Sequence, residues 1–315
     1  MEAGAGIDSM EKESTQQKAW KEAEQSGLAA IKIRLLRMLR LAAFVLFSAG
    51  ALLMAINVTG LFLLLRNPLL QSEKTLFKND ITITPPRLWE DIRRRSGETV
   101  EEYVRRLNSV VGQAMAHAWA DRSIDEYHLR VPIWENYILY FMSYAMPRPF
   151  LKYEFADYEK ALERGVGLCS QHALVLTEIL REKGIEAQVI ALDGHVVARV
   201  EVEKGRWIIA DPDYGVVIPH DILKVQKDPE MVLPYYIVAT KNYRPGGKGH
   251  SAEKIAAIYG RENNYILEEG AKGYMGAARY NFEKNSYLVK WLLPAALMLP
   301  ALVLLSARAF RRFLT

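Results

Sequence analysis

The sequence holds a single cysteine, Cys169, in 315 residues. One thiol cannot close an internal disulfide, and with no second cysteine the usual thiolate zinc sites are excluded. The six histidines include no His-x-x-x-His pair, and no spacing of His, Met or carboxylate residues suggests a metal site. Glycine-rich phosphate loops and internal repeats are also missing, so neither a nucleotide-binding loop nor a repeat array is expected. Charge of one sign is scarce. Lys+Arg number 41 against 37 Asp+Glu, a net +4, and much of that excess flanks two apolar runs. Nucleic acid is therefore not an expected partner, and no cofactor is expected.

What the sequence does have is long apolar runs. Leu41 to Leu65 is 25 residues without a charge, and Trp291 to Ala307 is a second run of 17. The first is long enough to cross about 30 Å of hydrocarbon as a helix. The second gains length from Leu288 and Val289 while Lys290 snorkels, and its Pro294 and Pro300 are of a kind that membrane helices tolerate. Leu41–Leu65 is too long, and too far from the N-terminus, for a cleaved signal. Lys32, Arg34, Arg37 and Arg40 precede the first run, and Arg308, Arg311 and Arg312 follow the second. This bias predicts cytoplasmic termini and an extracytoplasmic middle, periplasmic or at the cell surface, with the lipid bilayer as a partner. The expected organisation is a cytoplasmic tail with a basic juxtamembrane segment (1–40), a first span (41–65), an extracytoplasmic domain (66–242), an appended segment or linker (243–287), a second span (288–307) and a basic tail (308–315). Residues 1–28 read as disordered or loosely helical, and Ile31–Arg40 as a helix at the membrane surface.

The free thiol opens the most informative stretch. Ala173, Leu174, Leu176, Ile179 and Leu180 recur at helical spacing, and Gly184 follows as a stop. Cys169 then lies at the helix N-terminus, where free N–H groups and the positive end of the dipole favour a thiolate. Gly165 and Gly167 allow a sharp bend and leave room for a substrate backbone. Ala187–Leu192 reads as a strand, Asp193-Gly194 as a turn, and His195–Val202 as a second strand with His195, Val197, Arg199 and Glu201 on one face. A third strand ends at Asp211-Pro212. Cysteine, histidine and aspartate in this order can form a thiol-nucleophile triad. Each residue alone also fits a plainer role: a buried core cysteine, a strand-opening histidine, an Asp-Pro turn.

Gly167-Leu168-Cys169 with Ala173, Leu180-Arg181 before Gly184-Ile185, Gly194-His195, and Gly205-Arg206-Trp207 leading to Asp211-Pro212 together resemble the transglutaminase-like superfamily of papain-related thiol enzymes. The resemblance covers roughly residues 130 to 220. It implies Cys169 as nucleophile, His195 as base and Asp211 as the residue that orients the imidazole. Val196-Val197 departs from the small residue and aromatic that follow the histidine in many relatives, which bears on substrate preference. Relatives place a tryptophan some tens of residues before the nucleophile to stabilise the oxyanion. Trp134 has that separation, the backbone N–H of Cys169 is the other expected donor, and Gln171 is a further candidate.

Register poses a difficulty. A two-residue turn at Lys204-Gly205 sets Asp211 opposite Ala198, about 10 Å along the strand from His195. The triad therefore requires a three-residue turn at Val202–Lys204 or a bulge, with Asp213 as fallback acid.

Elsewhere, residues 87–121 read as helical with start signals at Ser96–Thr99, Trp134–Met146 as an aromatic helix, and Ile81–Thr84 as a short edge strand. His117 reads as a helix-terminal polar residue. Val216–Ile218 and Val232–Val238 read as strands, and Ala252–Tyr259 as a short helix. The expected fold is α+β: a nucleophile helix packed on an antiparallel sheet, flanked by two transmembrane helices. The expected function is thiolate attack on an amide or ester of an extracytoplasmic peptide, protein or envelope substrate, as a cysteine peptidase or amidase, with acyl transfer open. The alternative is a catalytically vestigial binding or assembly module of a membrane complex.

Overall fold

The computed structural model describes residues 5–70, 75–117, 123–245, 247 and 249–313. The chain divides into two units, Met1–Ile56 with Trp291–Thr315, and Asn57–Lys290. Among the described residues, two helices are long and apolar enough to cross a membrane. The first, within α1 (Ala5–Gly60), covers Ile31–Gly60; the second, within the C-terminal helix, covers Ala277–Leu304. The N-terminal stretch expected as a loose tail is helical from Ala5, and the first apolar helix stops at Gly60, short of Leu65. Within the first unit the two helices meet closely at Gly50. A Cβ there would lie 2.6 Å from the Pro294 carbonyl, so only glycine permits the approach.

In the second unit, α2 is Val100–Ala114. Thr99 and Glu102 form a reciprocal capping box at its start. The helix expected over 87–121 is broken: a short helix covers Arg87–Asp91, and after α2 Ala116–His117 pair in parallel with Val166–Gly167. Beyond His117 that expectation falls outside the described residues. Ile81–Thr84 forms no strand; Ile81 has φ 51° and sits in a turn. The aromatic helix α3 is Tyr137–Ala145, with Asn136 capping the Ile138 and Leu139 N–H groups. The cysteine helix α4 is Cys169–Glu182.

Four strands follow: β1 (Ala187–Leu192), β2 (His195–Glu203), β3 (Arg206–Asp211) and β4 (Val216–Ile218). The Val232–Val238 run, expected as a strand, is instead helical: a 3₁₀ turn over Pro229–Val232 leads into α5 (Leu233–Thr240). Pro229 and Pro234 occupy first-turn positions, where proline fits a helix and lacks nothing it needs. Next come α6 (Ala252–Tyr259), β5 (Tyr265–Leu267), α7 (Gly270–Met275) and α8 (Ala277–Phe313). The stretch read as an appended linker thus supplies an edge strand. The sheet is antiparallel throughout, in the order β4-β3-β2-β1-β5.

Both faces of the sheet are covered. Ala198, Val200, Ile208 and Ala210 pack with Val111 of α2 and Leu176 and Leu180 of α4. Val197 and Ile209 face the other way, into a cluster with Tyr236 of α5 and Ile255 and Tyr259 of α6. The result is a helix–sheet–helix sandwich in which the strands are apolar on both sides, and their open ends remain for chemistry.

Candidate active site

β2 begins with His195 and β3 ends with Asp211, so antiparallel pairing brings both to one end of the sheet. Their contact depends on a bulge. Glu203 pairs with Arg206, but the next pair is Glu201 with Trp207, leaving Val202 unpartnered. From there the register runs Val200–Ile208, Arg199–Ile209 and Ala198–Ala210. Carried one step further it aligns Asp211 with Val197, on the same face as His195 and two residues from it. Without the bulge, Asp211 would oppose Ala198 and point to the other face. His195 Nε2 lies 2.7 Å from Asp211 Oδ2.

Cys169 reaches the same end of the sheet from the opposite face, at the N-terminus of α4. Leu168 precedes it in an extended conformation and contributes no side-chain cap. The thiol is half-buried and close enough to His195 to raise the imidazole pKa. With Nε2 taken by Asp211, Nδ1 is the nitrogen left to the thiol. Burial opposes protonation of His195, but the hydrogen-bonded Asp211 carboxylate and the adjacent sulfur outweigh it. The imidazole pKa is held well above its ordinary value.

Asp211 is fully buried. Its Oδ2 also accepts the Tyr236 hydroxyl at 2.7 Å, which is paired with Tyr259 at 2.7 Å, and its Oδ1 accepts the Tyr214 N–H at 3.2 Å. The carboxylate is therefore fixed from α5 and from the turn after β3. α2 braces the same corner: Asn108 donates to the Asp211 and Val216 carbonyls, and Gly112 lets the helix approach so closely that a Cβ would lie 2.4 Å from the Pro212 carbonyl. The Tyr214 ring stands edge-on to His195, centroids 5.5 Å apart. Among these supports, Asn108, Gly112, Tyr236 and Tyr259 were not legible as site residues. Only their buried position beside the Asp-Pro turn reveals them.

Asp213, the fallback acid, serves elsewhere. Its Oδ1 meets His117 Nδ1 at 2.6 Å and lies 3.8 Å from His172 Nδ1, which also contacts the Leu168 carbonyl at 2.9 Å. Burial works against its charge, but His117, His172 and His195 prevail and hold its pKa at about 2. His117, just beyond the end of α2, is thus a buried partner of Asp213. No group of His, Cys, Asp and Glu among the described residues could hold a metal ion.

The two side-chain oxyanion candidates have defined partners. Gln171 is fully buried, and its amide is spent on Phe155, accepting from the N–H at 2.6 Å and donating to the carbonyl at 2.9 Å, with Arg164 at 3.2 Å on the same oxygen. It clamps the Phe155 backbone. Trp134 packs edge-on to His128, centroids 5.7 Å apart, with its carbonyl against Gly60. The space beside Gly165 and Gly167 is filled by the Arg66 guanidinium and the Gln171 side chain, so it holds protein and not substrate. The backbone N–H of Cys169, the other expected donor, lies at the helix start, where no side chain caps it. The final segment reaches the site too: Tyr274 and Met275 of α7 pack in the same cluster as Cys169. Ser170 donates to the half-buried Glu154 carboxylate, whose pKa is raised by desolvation.

A half-buried thiol on a helix N-terminus, beside an imidazole that is anchored by a buried carboxylate, is an arrangement able to hold a thiolate–imidazolium pair. Residues 130–212 match the model of the Transglutaminase-like superfamily. The chain carries a transglutaminase-like domain. The match spans the cysteine helix and the first three strands of the sheet, and it ends at Pro212. No curated protein and no solved structure matches the chain.

Proposed function

We propose that this chain is a membrane-anchored thiol enzyme that cleaves or transfers acyl groups, acting as a cysteine peptidase or amidase. The observation that carries this reading is His195, held at 2.7 Å by a buried carboxylate and lying beside the only thiol in the sequence. In the proposed reaction the Cys169 thiolate attacks the carbonyl carbon of an amide or ester. The developing oxyanion takes a hydrogen bond from the Cys169 N–H at the positive end of α4. His195, as imidazolium, gives its proton to the departing amine or alcohol, leaving a thioester. Water, or a second amine, then attacks that thioester while His195 accepts its proton, and Cys169 departs as thiolate. Asp211 keeps the imidazole in the tautomer and orientation this sequence needs.

The basic clusters beside the two apolar helices support a bilayer anchor with both termini cytoplasmic and the transglutaminase-like domain outside. The substrate is then a peptide, protein or envelope component carrying an accessible amide or ester bond. A thiol-directed acylating probe applied to the full chain in lipid tests the reading. Labelling should be lost in Cys169→Ala and nearly lost in His195→Ala. A probe that labels neither the native chain nor any variant would favour a vestigial assembly module instead.

A further inference from the structure

Helix α3 begins beside residues 57–60 and 286–290 of the second unit. Asn136, its cap, donates to Ser286 Oγ at 2.9 Å, and the Tyr137 hydroxyl donates to the Lys290 carbonyl at 3.2 Å. Asn57, near the end of α1, donates to the same Lys290 carbonyl at 2.5 Å, and Lys290 Nζ donates to the Glu135 carbonyl at 2.5 Å. Gly60 closes α1 directly against the Trp134 carbonyl. Residues 57 and 60 belong to the first candidate span, and 286 and 290 to the second. The first turn of α3 is thus fixed to both.

One side of α3 is core, with Tyr137, Leu139 and Ser143 buried. The other side is apolar and uncovered. Phe141 is 56% exposed and Tyr144 60%, and Met146 follows them in the open. Leu61 to Leu64, between Gly60 and the buried Leu65, are exposed as well, Phe62 at 82%. Such a surface is costly in water, and it directly continues two helices that suit hydrocarbon. Its chemistry matches the interface between headgroups and acyl chains. Tyr140 and Tyr144 have apolar rings with polar tips that bond each other at 3.1 Å, Arg130 lies over the Tyr144 ring at 4.4 Å, and the exposed Arg148 follows.

We infer that α3 and the Leu61–Leu64 turn form an interfacial seat that lies in the lipid headgroup region beside the two spans. The domain is then held on the bilayer surface by a third contact. The occupant is the lipid interface and not a second protein, because the patch is continuous with the ends of both apolar helices. An α-helix bearing aromatic and apolar residues on one side inserts at that level without spanning. This inference rests on the proposed membrane anchoring.

Because Cys169 is the only cysteine, Cys169→Ser gives a full chain without thiols for site-directed nitroxide labelling. Labels are placed singly at Phe141→Cys and Tyr144→Cys in the seat, at Leu299→Cys in the second apolar helix, and at Leu223→Cys, an exposed apolar position far along the chain. In liposomes of mixed neutral and anionic phospholipid, collision with oxygen is compared with collision with a water-soluble nickel chelate. Labels at 141 and 144 should favour oxygen as the label at 299 does, with 223 favouring the chelate. If 299 favours oxygen while 141 and 144 favour the chelate, the seat is wrong and the anchor stands. Shielding of 141 and 144 from both reagents would mean a protein partner and would also overturn it. Chelate accessibility at 299 itself would remove the membrane reading on which the inference depends.

Discussion

Asp211→Asn changes one carboxylate oxygen to an amide NH2 with little change of volume. The native carboxylate accepts three hydrogen bonds, from His195 and Tyr236 at Oδ2 and from the Tyr214 N–H at Oδ1. An amide has one oxygen to offer. If that oxygen faces His195, the NH2 points at the Tyr214 N–H, donor against donor. If the amide is reversed, the NH2 faces Nε2 and forces the ring proton onto Nδ1, the nitrogen that must accept from the thiol. The loss of a charge-assisted hydrogen bond, about 1.5–3 kcal/mol, adds to the cost of an unsatisfied buried donor, about 1–3 kcal/mol. A total of about 3–5 kcal/mol corresponds to a fall of roughly 10²- to 10⁴-fold in acylation rate.

The pH profile gives a second reading of the same variant. Burial lowers the His195 pKa, but Asp211 and the sulfur raise it further, to well above 6.5. The imidazolium persists below that raised value and is lost as pH rises through it. Removing the Asp211 charge lowers the value, so the alkaline fall of the acylation rate should move to lower pH. Stopped-flow acylation with a chromogenic ester, at several pH values, measures both effects. A folded Asp211→Asn chain with native rate and an unmoved alkaline limb would refute the role given to Asp211. The double variant with His195→Ala should be little worse than His195→Ala alone, since the two act as a unit.

Cys169 should react with iodoacetamide at pH 7 faster than free cysteine, and mass spectrometry of the modified chain gives the rate; equal or slower reaction removes the argument for an activated thiol. A reporter fused after Thr315 should read cytoplasm and one inserted near Gly247 should read outside; both on one side would end the two-span topology. Gly112→Val places side-chain atoms against the Pro212 carbonyl, and a fall in thermal stability of about 1–3 kcal/mol should accompany the displaced helix. Asp213 has a depressed pKa of about 2 against 3.8, so its contribution, about 2 kcal/mol, is present above pH 4 and lost as pH falls towards 2. Asp213→Asn should therefore flatten the acid limb of a urea-unfolding series, and an unchanged limb would show that its charge does not stabilise the fold.

The parts of the fold that were legible are those with an unambiguous period. The cysteine helix and the strands to Asp211 follow directly from spacing and from turn glycines, because each buries a face whose pattern is local. Val232–Val238 was not legible: a short run of apolar and aromatic residues fits a buried strand as well as a helix, and periodicity cannot separate them. Prolines at first-turn positions were the signal available, and they favour the helix that is observed. The supports of Asp211 were illegible for a different reason. Asn108 and Gly112 sit in a helix that reads only as amphipathic, about a hundred residues before the acid they brace, and their role exists only once the chain has folded. Gln171 shows the converse. Its proximity to Cys169 in sequence suggested chemistry, while the next turn of packing gives its amide to Phe155.

The decisive structural event is the one-residue irregularity at Val202. A two-residue turn at Lys204-Gly205 starts the pairing of β2 and β3 at Glu203 and Arg206. Uninterrupted, it would align odd positions of one strand with even positions of the other and send Asp211 to the face covered by the cysteine helix. His195 would remain on the face of Val197, beside Tyr236, and the histidine and the acid would stand on opposite sides of the sheet. Val202 takes up one residue and restores matching parity, so Asp211 joins His195 under α5, where the Tyr236 hydroxyl completes its shell. Cys169 needs no such adjustment, because a helix terminus at the open end of a sheet can serve a residue on either face. The acid–histidine pair is thus set by the sheet register and the thiol by a helix end, two independent devices that meet only at the imidazole.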